Sequence, residues 1–324
     1  MSHSNEKNDV RQEVLEAAER IKKHIRKTPL EYSHYLSELS DCNVYLKLEN
    51  IQLSGSFKVR GAFNKILSLS REEINKGIVI GSSGNHGIAF AYIFQKFNIP
   101  GTIYFPANGS KAKLETLLLY KANVKFHGTD TAVTETYAHQ VANETGQLFI
   151  SPYDDLKIIG GQGTIGVELE KQVNKIDCIL VPVGGGGLIS GIGGYLKSVL
   201  NDVEVIGCQP ENSPVMAESI KAGKLIEMES KPSLSDGTVG GIEAGSITFG
   251  LCQRYVDDFI LVSEEEISKS IRLCLEKHAM LIEGAGALSI ASFIKAKNRF
   301  KGKNIVLVVS GSGSILEKLK GIIL

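Results

Sequence analysis

Short apolar runs rich in β-branched residues alternate along this chain with longer amphipathic stretches. The runs fall at residues 44–48, 77–81, 102–105, 124–126, 148–150, 178–183, 203–208, 259–262 and 305–309. Runs that are apolar throughout, rather than alternating, mark strands buried on both faces, as parallel strands are. Helical stretches fall at 11–25, 85–96, 111–120, 132–144, 163–173, 188–200, 264–277 and 285–296. Strand and helix taking turns at these lengths predict βαβ units and an α/β fold, its parallel or mixed sheets flanked by helices. No fixed-period repeat and no low-complexity segment interrupts that order. The block 77–146 reads as a self-contained small domain, which leaves 1–76 and 147–324 to build a large, discontinuous one. Ligands in such folds bind outside the carboxyl ends of the strands, so the chemistry is sought there.

Composition narrows the function classes. Hydrophobic residues make up 43% of the 324 and charged residues 22%, which supports a substantial core and excludes global disorder. The 36 basic residues balance 36 acidic ones, so neither nucleic acid nor an acidic membrane is expected as a partner. Five cysteines (Cys42, Cys178, Cys208, Cys252, Cys274) are scattered without CxxC or Cys/His ligand spacing. Cys178 and Cys208 lie inside apolar runs and read as buried thiols. This usage fits a reducing, cytoplasmic setting. The polar residues 1–9 hold no signal-peptide core, and no run of about 18 apolar residues predicts a membrane span. The histidines His3, His24, His34, His127, His139 and His278 form no ligand spacing and read as surface or packing residues.

Four strand ends run into small residues, each before a helical pattern. After 44–48 comes a segment ending in Ser54, Gly55, Ser56, Phe57 and Lys58. After 77–81 come Ser82, Ser83, Gly84, Asn85, His86 and Gly87. After 178–183 come Gly184, Gly185, Gly186 and Gly187. After 305–309 come Ser310, Gly311, Ser312, Gly313 and Ser314. Four successive glycines permit unusual backbone angles and close approach to a ligand, and a helix start behind them makes an anion nest. A phosphate is the expected anion. The segment 161–166 also fits GxGxxG, but it follows no clear strand and no acidic residue stands about 20 residues later to hold a ribose. It reads as close helix packing. No GxxxxGK[ST] is present. Lys58 alone, at a predicted helix start, would be an ordinary solvated lysine; the small residues before it and Phe57 raise its interest.

Taken together, these segments resemble the serine/threonine dehydratase and serine racemase family of pyridoxal-5′-phosphate (PLP) enzymes of fold type II. The run 54–62, Ser-Gly-Ser-Phe-Lys-Val-Arg-Gly-Ala, is similar to the family's Schiff-base lysine motif. The run 82–87 is similar to its substrate-carboxylate loop, and Gly184 to Gly187 with Leu188 to its phosphate loop. Ser310 matches the residue that meets the pyridine nitrogen. The four motifs stand in the family's order, and the likeness runs from about Thr28 to the C-terminus.

The resemblance implies a two-domain fold like the tryptophan synthase β-subunit, PLP on Lys58, and a homodimer. It implies that the Lys58 amine takes a proton from the substrate's α-carbon, which requires a lysine partly neutral near pH 7. Phe57 supports the ring region, Asn85 donates to the cofactor's phenolic oxygen, and Gly237 and Glu283 lie near the cofactor; a core role is the equal reading of Phe57, and helix capping is the other reading of Glu283. Ser82, Ser83, Gly84, Asn85 and His86 hold the substrate carboxylate at a helix start. A hydroxyl at Ser310 does not keep a proton on the ring nitrogen as a carboxylate would, which favours prompt loss of a β-leaving group. The implied reaction is β-elimination of L-threonine, L-serine or a related β-hydroxy amino acid, with proton help from the cofactor phosphate, giving a 2-oxo acid and ammonia.

Some positions pull elsewhere. Racemases of the family carry serine where Ser83 stands, as a second acid/base, whereas dehydratases more often carry alanine. Amino-acid racemisation by Lys58 and Ser83 is therefore the first alternative. Pro152, Tyr153, Asp154 and Asp155 resemble dehydratases, because mammalian-type racemases have Asn at Tyr153; Tyr153 is expected at the substrate. Thr134 and Gly240 also replace polar residues that help close the racemase site. Metal-dependent members have carboxylates at Gln209 and near Val215, and Glu211 is shifted by two residues, so no metal is expected. The segment 235–243 resembles both general threonine/serine dehydratases and hydroxyectoine-catabolism dehydratases acting on an N-acetylated hydroxy-diaminobutyrate, which is the second alternative. The chain ends just after the helix behind Ser310, so isoleucine control through a C-terminal regulatory domain is not expected.

Overall fold

The computed structural model describes residues 9–313 and 316–323; His3 and Ser314 lie outside the described residues. Among the described residues there are ten strands: β1 Leu30–Tyr32, β2 Asn43–Leu48, β3 Ile78–Gly81, β4 Gly101–Phe105, β5 Asn123–Phe126, β6 Leu148–Phe149, β7 Cys178–Pro182, β8 Glu204–Pro210, β9 Asp258–Val262 and β10 Asn304–Val309. They form a six-stranded sheet in the order β1-β2-β10-β7-β8-β9 and a four-stranded sheet in the order β5-β4-β3-β6. β1 pairs antiparallel with β2, and the other pairings are parallel. The α/β expectation holds. The segment 77–146 carries three strands of the smaller sheet, and the fourth, Leu148–Phe149, lies just beyond it.

Side-chain alternation shows why the runs are apolar on every position. Along β10, Ile305, Leu307 and Val309 enter one core, while Val306 and Val308 enter the core on the other face. Both faces are covered by helices, so each selects apolar side chains except where a polar one is paired. The smaller sheet has its own main core around Ile78, Ile80, Phe90, Ile103 and Phe105.

Departures from the sequence reading are local. β1 has three residues, too few to leave a pattern. The helix expected at 163–173 begins earlier, as Leu156–Gln172, because the Asp155 carboxylate accepts the N–H groups of Lys157 and Ile158 and caps it. The first helix, Val10–Ile21, starts on the Asp9 cap and stops short of residue 25. The GxGxxG segment lies inside the Leu156–Gln172 helix. A Cβ on Gly161 would meet the Gly61 α-carbon at 2.5 Å, and one on Gly163 would meet the Gly191 carbonyl at 2.7 Å. Those glycines let three helices touch backbone to backbone, and one of the three is the Lys58–Ser68 helix.

A buried ionic network fixes that helix. Arg60 grips Glu49 through two bonds of 2.7 and 2.8 Å and Glu168 at 2.8 Å. Lys47, in β2, donates to the Glu168 carboxylate at 2.5 Å and to the Thr28 carbonyl at 2.9 Å. Arg60, Glu49 and Lys47 are fully buried. Despite the cost of burying it, the guanidinium is held above its ordinary pKa by these carboxylates.

Candidate active site

The carboxyl ends of β2, β3, β6, β7 and β10 converge on one cleft. The Lys58 loop is stitched to the end of β10: the Phe57 N–H donates to the Ser310 carbonyl at 3.1 Å, and Ser56 bridges to Gly311. Ser312 donates its backbone N–H to the Gly55 carbonyl at 2.9 Å and its hydroxyl to that of Asn50 at 3.0 Å. Ser310 and Lys58 are thereby fixed relative to one another. The Lys58 ammonium reaches across to the Pro152 carbonyl, 2.9 Å away, in the segment leaving β6, and lies 5.2 Å from the centre of the Phe57 ring. Burial brings its pKa down to about 8, against the pull of Glu135 and Glu283. A lysine in that state is partly neutral near pH 7 and able to form an imine.

Glycines 184–187 lie at the start of the Gly187–Val199 helix. Gly186 has a φ of +86°, and no side chain caps the helix. A Cβ on Gly185 would meet the Tyr153 ring at 2.3 Å. One on Gly187 would be 3.0 Å from the Tyr153 backbone, and one on Gly184 3.1 Å from the Thr238 α-carbon. The loop is thus a bare backbone cradle whose first helical N–H groups, from Gly187 and Leu188, have no partner within the helix. It suits a phosphate. Leu188 itself turns into the core behind it. The turn Asp236–Thr238, which includes Gly237, packs on Gly184.

The loop 82–87 is shaped by its own side chains. The Ser82 hydroxyl accepts the N–H groups of Gly84 and Gly87, each at 3.1 Å. The His86 ring is buried and its Nε2–H donates to the Ile150 carbonyl at 3.2 Å, a bond that fixes the tautomer because a carbonyl can only accept. Burial and the charge of Lys58 bring its pKa down to about 3, so the ring is neutral. Ser82 and His86 therefore hold the loop, and the N–H groups of Asn85 and His86 at the start of the Asn85–Phe97 helix, with the Ser83 hydroxyl, are what the loop offers a carboxylate. The Ser83 hydroxyl lies 2.7 Å from that of Thr131.

Asn85 donates from its side-chain amide to Glu283 at 2.7 Å, leaving that amide a second N–H. Glu283 stands at the cap position of the Gly284–Ala296 helix, but its side chain makes no capping bond. Burial raises its pKa against the nearby Lys113 ammonium, and Asp236 adds to the rise. The Tyr153 hydroxyl accepts the Glu243 N–H at 3.0 Å, and burial pushes its pKa upward. Thr134 turns back on its own helix end, bonding the His127 and Asp130 carbonyls.

Residues that the sequence left unmarked also enter the cleft. Lys113 is buried and pairs with Asp236 at 3.3 Å, linking the Lys111–Leu119 helix to the 236–238 turn. Glu135 has a buried carboxylate oxygen with no hydrogen-bond partner. Both lie on helices where a charged residue is the ordinary occupant of an exposed position, so no sequence signal distinguished them. Where a metal carboxylate was sought, the Gln209 amide donates to the Val183 carbonyl and accepts the Ala217 N–H, and Glu211 pairs with Lys295. Among the described residues no group of three His, Cys, Asp or Glu is placed to hold a metal ion, and no helix is long and apolar enough to cross a membrane.

Comparison with known proteins agrees with this geometry. Residues 21–311 match the family described as pyridoxal-phosphate dependent enzyme. The L-threonine ammonia-lyase of Thermotoga maritima is 40% identical over 300 residues, 93% of this chain and 74% of that one. Maize serine racemase superposes with a TM-score of 0.90 at 31% identity, over 96% of this chain and 95% of that one. The processed threonine deaminase isoform 2 of Solanum lycopersicum gives 0.91 at 30% identity, over 98% and 88%.

Proposed function

The chain belongs to the family of pyridoxal-phosphate dependent enzymes, and from that premise we propose that it is an ammonia-lyase that eliminates water from L-threonine, L-serine or a related β-hydroxy amino acid. The observation that carries the reading is the Lys58 amine, on a half-buried side chain, brought to a pKa of about 8, and set among the glycine cradle, the 82–87 loop and Ser310. The likeness to a threonine ammonia-lyase and a threonine deaminase supports the choice of substrate.

Pyridoxal phosphate, when bound, supplies an electron sink for the α-carbon. The residues placed to hold it are Lys58, the N–H groups of the 184–188 loop, the second amide N–H of Asn85, and Ser310, with Phe57, Gly237 and Glu283 around them. The start of the Asn85–Phe97 helix holds the substrate carboxylate, with Ser83, Gly84 and the 82–87 backbone shaping the site and Tyr153 bounding it. With cofactor and substrate bound, the Lys58 amine would be the base that takes the α-proton. A hydroxyl at Ser310 cannot keep a proton on a facing nitrogen as a carboxylate can, so electron withdrawal is modest and loss of the β-group is the favoured outlet. The product enamine hydrolyses to a 2-oxo acid and ammonia. A homodimer, a cytoplasmic location, and a small domain at 77–146 set between the two parts of a large one belong to the same reading.

Racemisation is the second reading, and Ser83 favours it. Its hydroxyl is not spent on the loop as that of Ser82 is, and it is held by Thr131. PLP-loaded protein given L-threonine, L-serine and D-serine in turn, with 2-oxo acid and amino-acid chirality both followed, separates the readings. Rapid oxo-acid release with little inversion is expected. Inversion at or above the rate of elimination would overturn the lyase reading in favour of a racemase. Neither product would point to a larger substrate such as the N-acetylated hydroxy-diaminobutyrate.

A further inference from the structure

A buried carboxylate oxygen without a partner is costly, and the half-buried Glu135 carries one in this cleft. Its position is set by backbone packing. A Cβ on Gly81, the last residue of β3, would lie 2.6 Å from the Glu135 α-carbon, so the Thr131–Thr145 helix rests on the strand end that launches the 82–87 loop. One turn earlier on that helix, Thr131 holds the Ser83 hydroxyl. Residues four apart share a helix face, so Glu135 stands on the face that meets the loop. Lys58 on the Lys58–Ser68 helix, Tyr153 in the segment after β6 and Glu243 in the loop after the 236–238 turn are close enough to interact electrostatically with it. The cleft thus places a carboxyl group beside the loop that holds the substrate carboxylate and within electrostatic reach of the amine that takes the α-proton.

We propose that Glu135, as the neutral acid, gives its proton to the β-hydroxyl of the substrate as that group departs. The proposal rests on the ammonia-lyase reading and puts a protein acid in the role that the family resemblance gives to the cofactor phosphate. In the step, the Lys58 amine takes the α-hydrogen, and the electron pair of that C–H bond becomes the Cα–Cβ double bond. The Cβ–O bond breaks with its pair going to oxygen, and the Glu135 proton joins that oxygen, so water leaves. Glu135 is then a carboxylate beside a lysine ammonium, and return of one proton from Lys58 resets both. No oxidant or reductant is needed. Burial, with the like charge of Glu243 adding and the Lys58 ammonium opposing, lifts the Glu135 pKa to about 7, so a neutral fraction persists at neutral pH. A donor with its pKa near the working pH is the efficient choice.

The test is leaving-group dependence in Glu135→Gln, with Glu135→Asp as the variant that keeps the acid. Chloride needs no proton to depart. In Glu135→Gln, elimination from L-threonine and L-serine should fall by about 100-fold or more while elimination from β-chloro-L-alanine stays within about threefold of wild type. Glu135→Asp should recover part of the loss. Equal loss on both kinds of substrate would overturn the proposal in favour of a binding or structural role, and loss on neither would assign the proton to another donor. A second readout needs no turnover. Because the folded pKa lies above that of an unfolded glutamate, cofactor-free wild type should lose stability relative to Glu135→Gln as pH rises from about 5 to about 7, and the difference should be level above about 8. Melting curves that stay parallel would contradict a buried ionisable Glu135. Wild-type protein that consumes the chloro but no hydroxy amino acid would overturn the lyase reading itself, and the proposal with it; that failure is distinct because it appears before any substitution is made.

Discussion

The Lys58 ammonium and the Pro152 carbonyl oxygen lie 2.9 Å apart, although one belongs to the loop behind the six-stranded sheet and the other to the segment leaving the four-stranded one. A neutral carbonyl accepts a hydrogen bond but does not offset the burial of a positive charge as a carboxylate would. The amine is therefore left with a pKa of about 8. Only the neutral amine condenses with an aldehyde. Capture of PLP by cofactor-free protein should accordingly quicken about tenfold per pH unit up to about pH 8 and then level off. Stopped-flow absorbance measures this, and a rate still climbing at the same slope well above that point would mean an ordinary exposed lysine.

The glycine cradle makes a steric prediction. Gly185→Ala drives a methyl group into the Tyr153 ring and should weaken PLP binding by about tenfold or more, with the fold retained. Gly250, on an exposed face of the Ile247–Tyr255 helix, has open space where its Cβ would be. Gly250→Ala should leave binding unchanged and raise stability by about 0.5–1 kcal/mol. Equal cofactor affinity in Gly185→Ala and wild type, by fluorescence titration, would rule the cradle out as the phosphate site.

Arg60 makes a stability prediction. It is fully buried between Glu49 and Glu168. Arg60→Met strands carboxylates out of water and should cost about 3–5 kcal/mol, whereas Arg60→Met with Glu49→Gln should recover part of that loss. Urea unfolding midpoints at constant slope give both numbers. A single variant as stable as wild type would mean that water reaches the network.

Ser83 decides the partition between products. If it serves as a second acid/base, Ser83→Ala should abolish inversion of L-serine while oxo-acid formation persists within about tenfold, and Thr131→Val, which removes the hydroxyl that holds it, should move the ratio the same way by less. Chiral chromatography beside the oxo-acid assay reads both. Parallel loss of the two products would confine Ser83 to carboxylate binding.

These tests bear on residues of unequal legibility. Ser83, Gly185 and Lys58 follow strand ends in glycine- and serine-rich loops, where the backbone needs small residues to turn and to approach a ligand, so they leave a local mark. The central parallel strands β3, β7 and β10 were equally legible because burial on both faces makes them continuously apolar, whereas β5 at the sheet edge is largely exposed. Glu135 and Lys113 were not. Their burial depends on helices from the smaller sheet closing over a cleft built by distant segments, and on either helix a charged residue looks like an ordinary solvent-facing one. The helix Leu156–Gln172 was read short because its glycines, chosen for contact with Gly61 and Gly191, dilute the apolar period. His86 was legible as a loop residue, but its commitment to the Ile150 carbonyl depends on β6 lying beside β3.

The most direct test of the account is the position of the cofactor on the chain. PLP-loaded protein is reduced with borohydride, digested, and the pyridoxyl-bearing peptide sequenced by mass spectrometry. The account predicts one modified residue, Lys58. Modification at Lys113, Lys47 or another lysine, or no stable modification of protein that binds PLP, would contradict it.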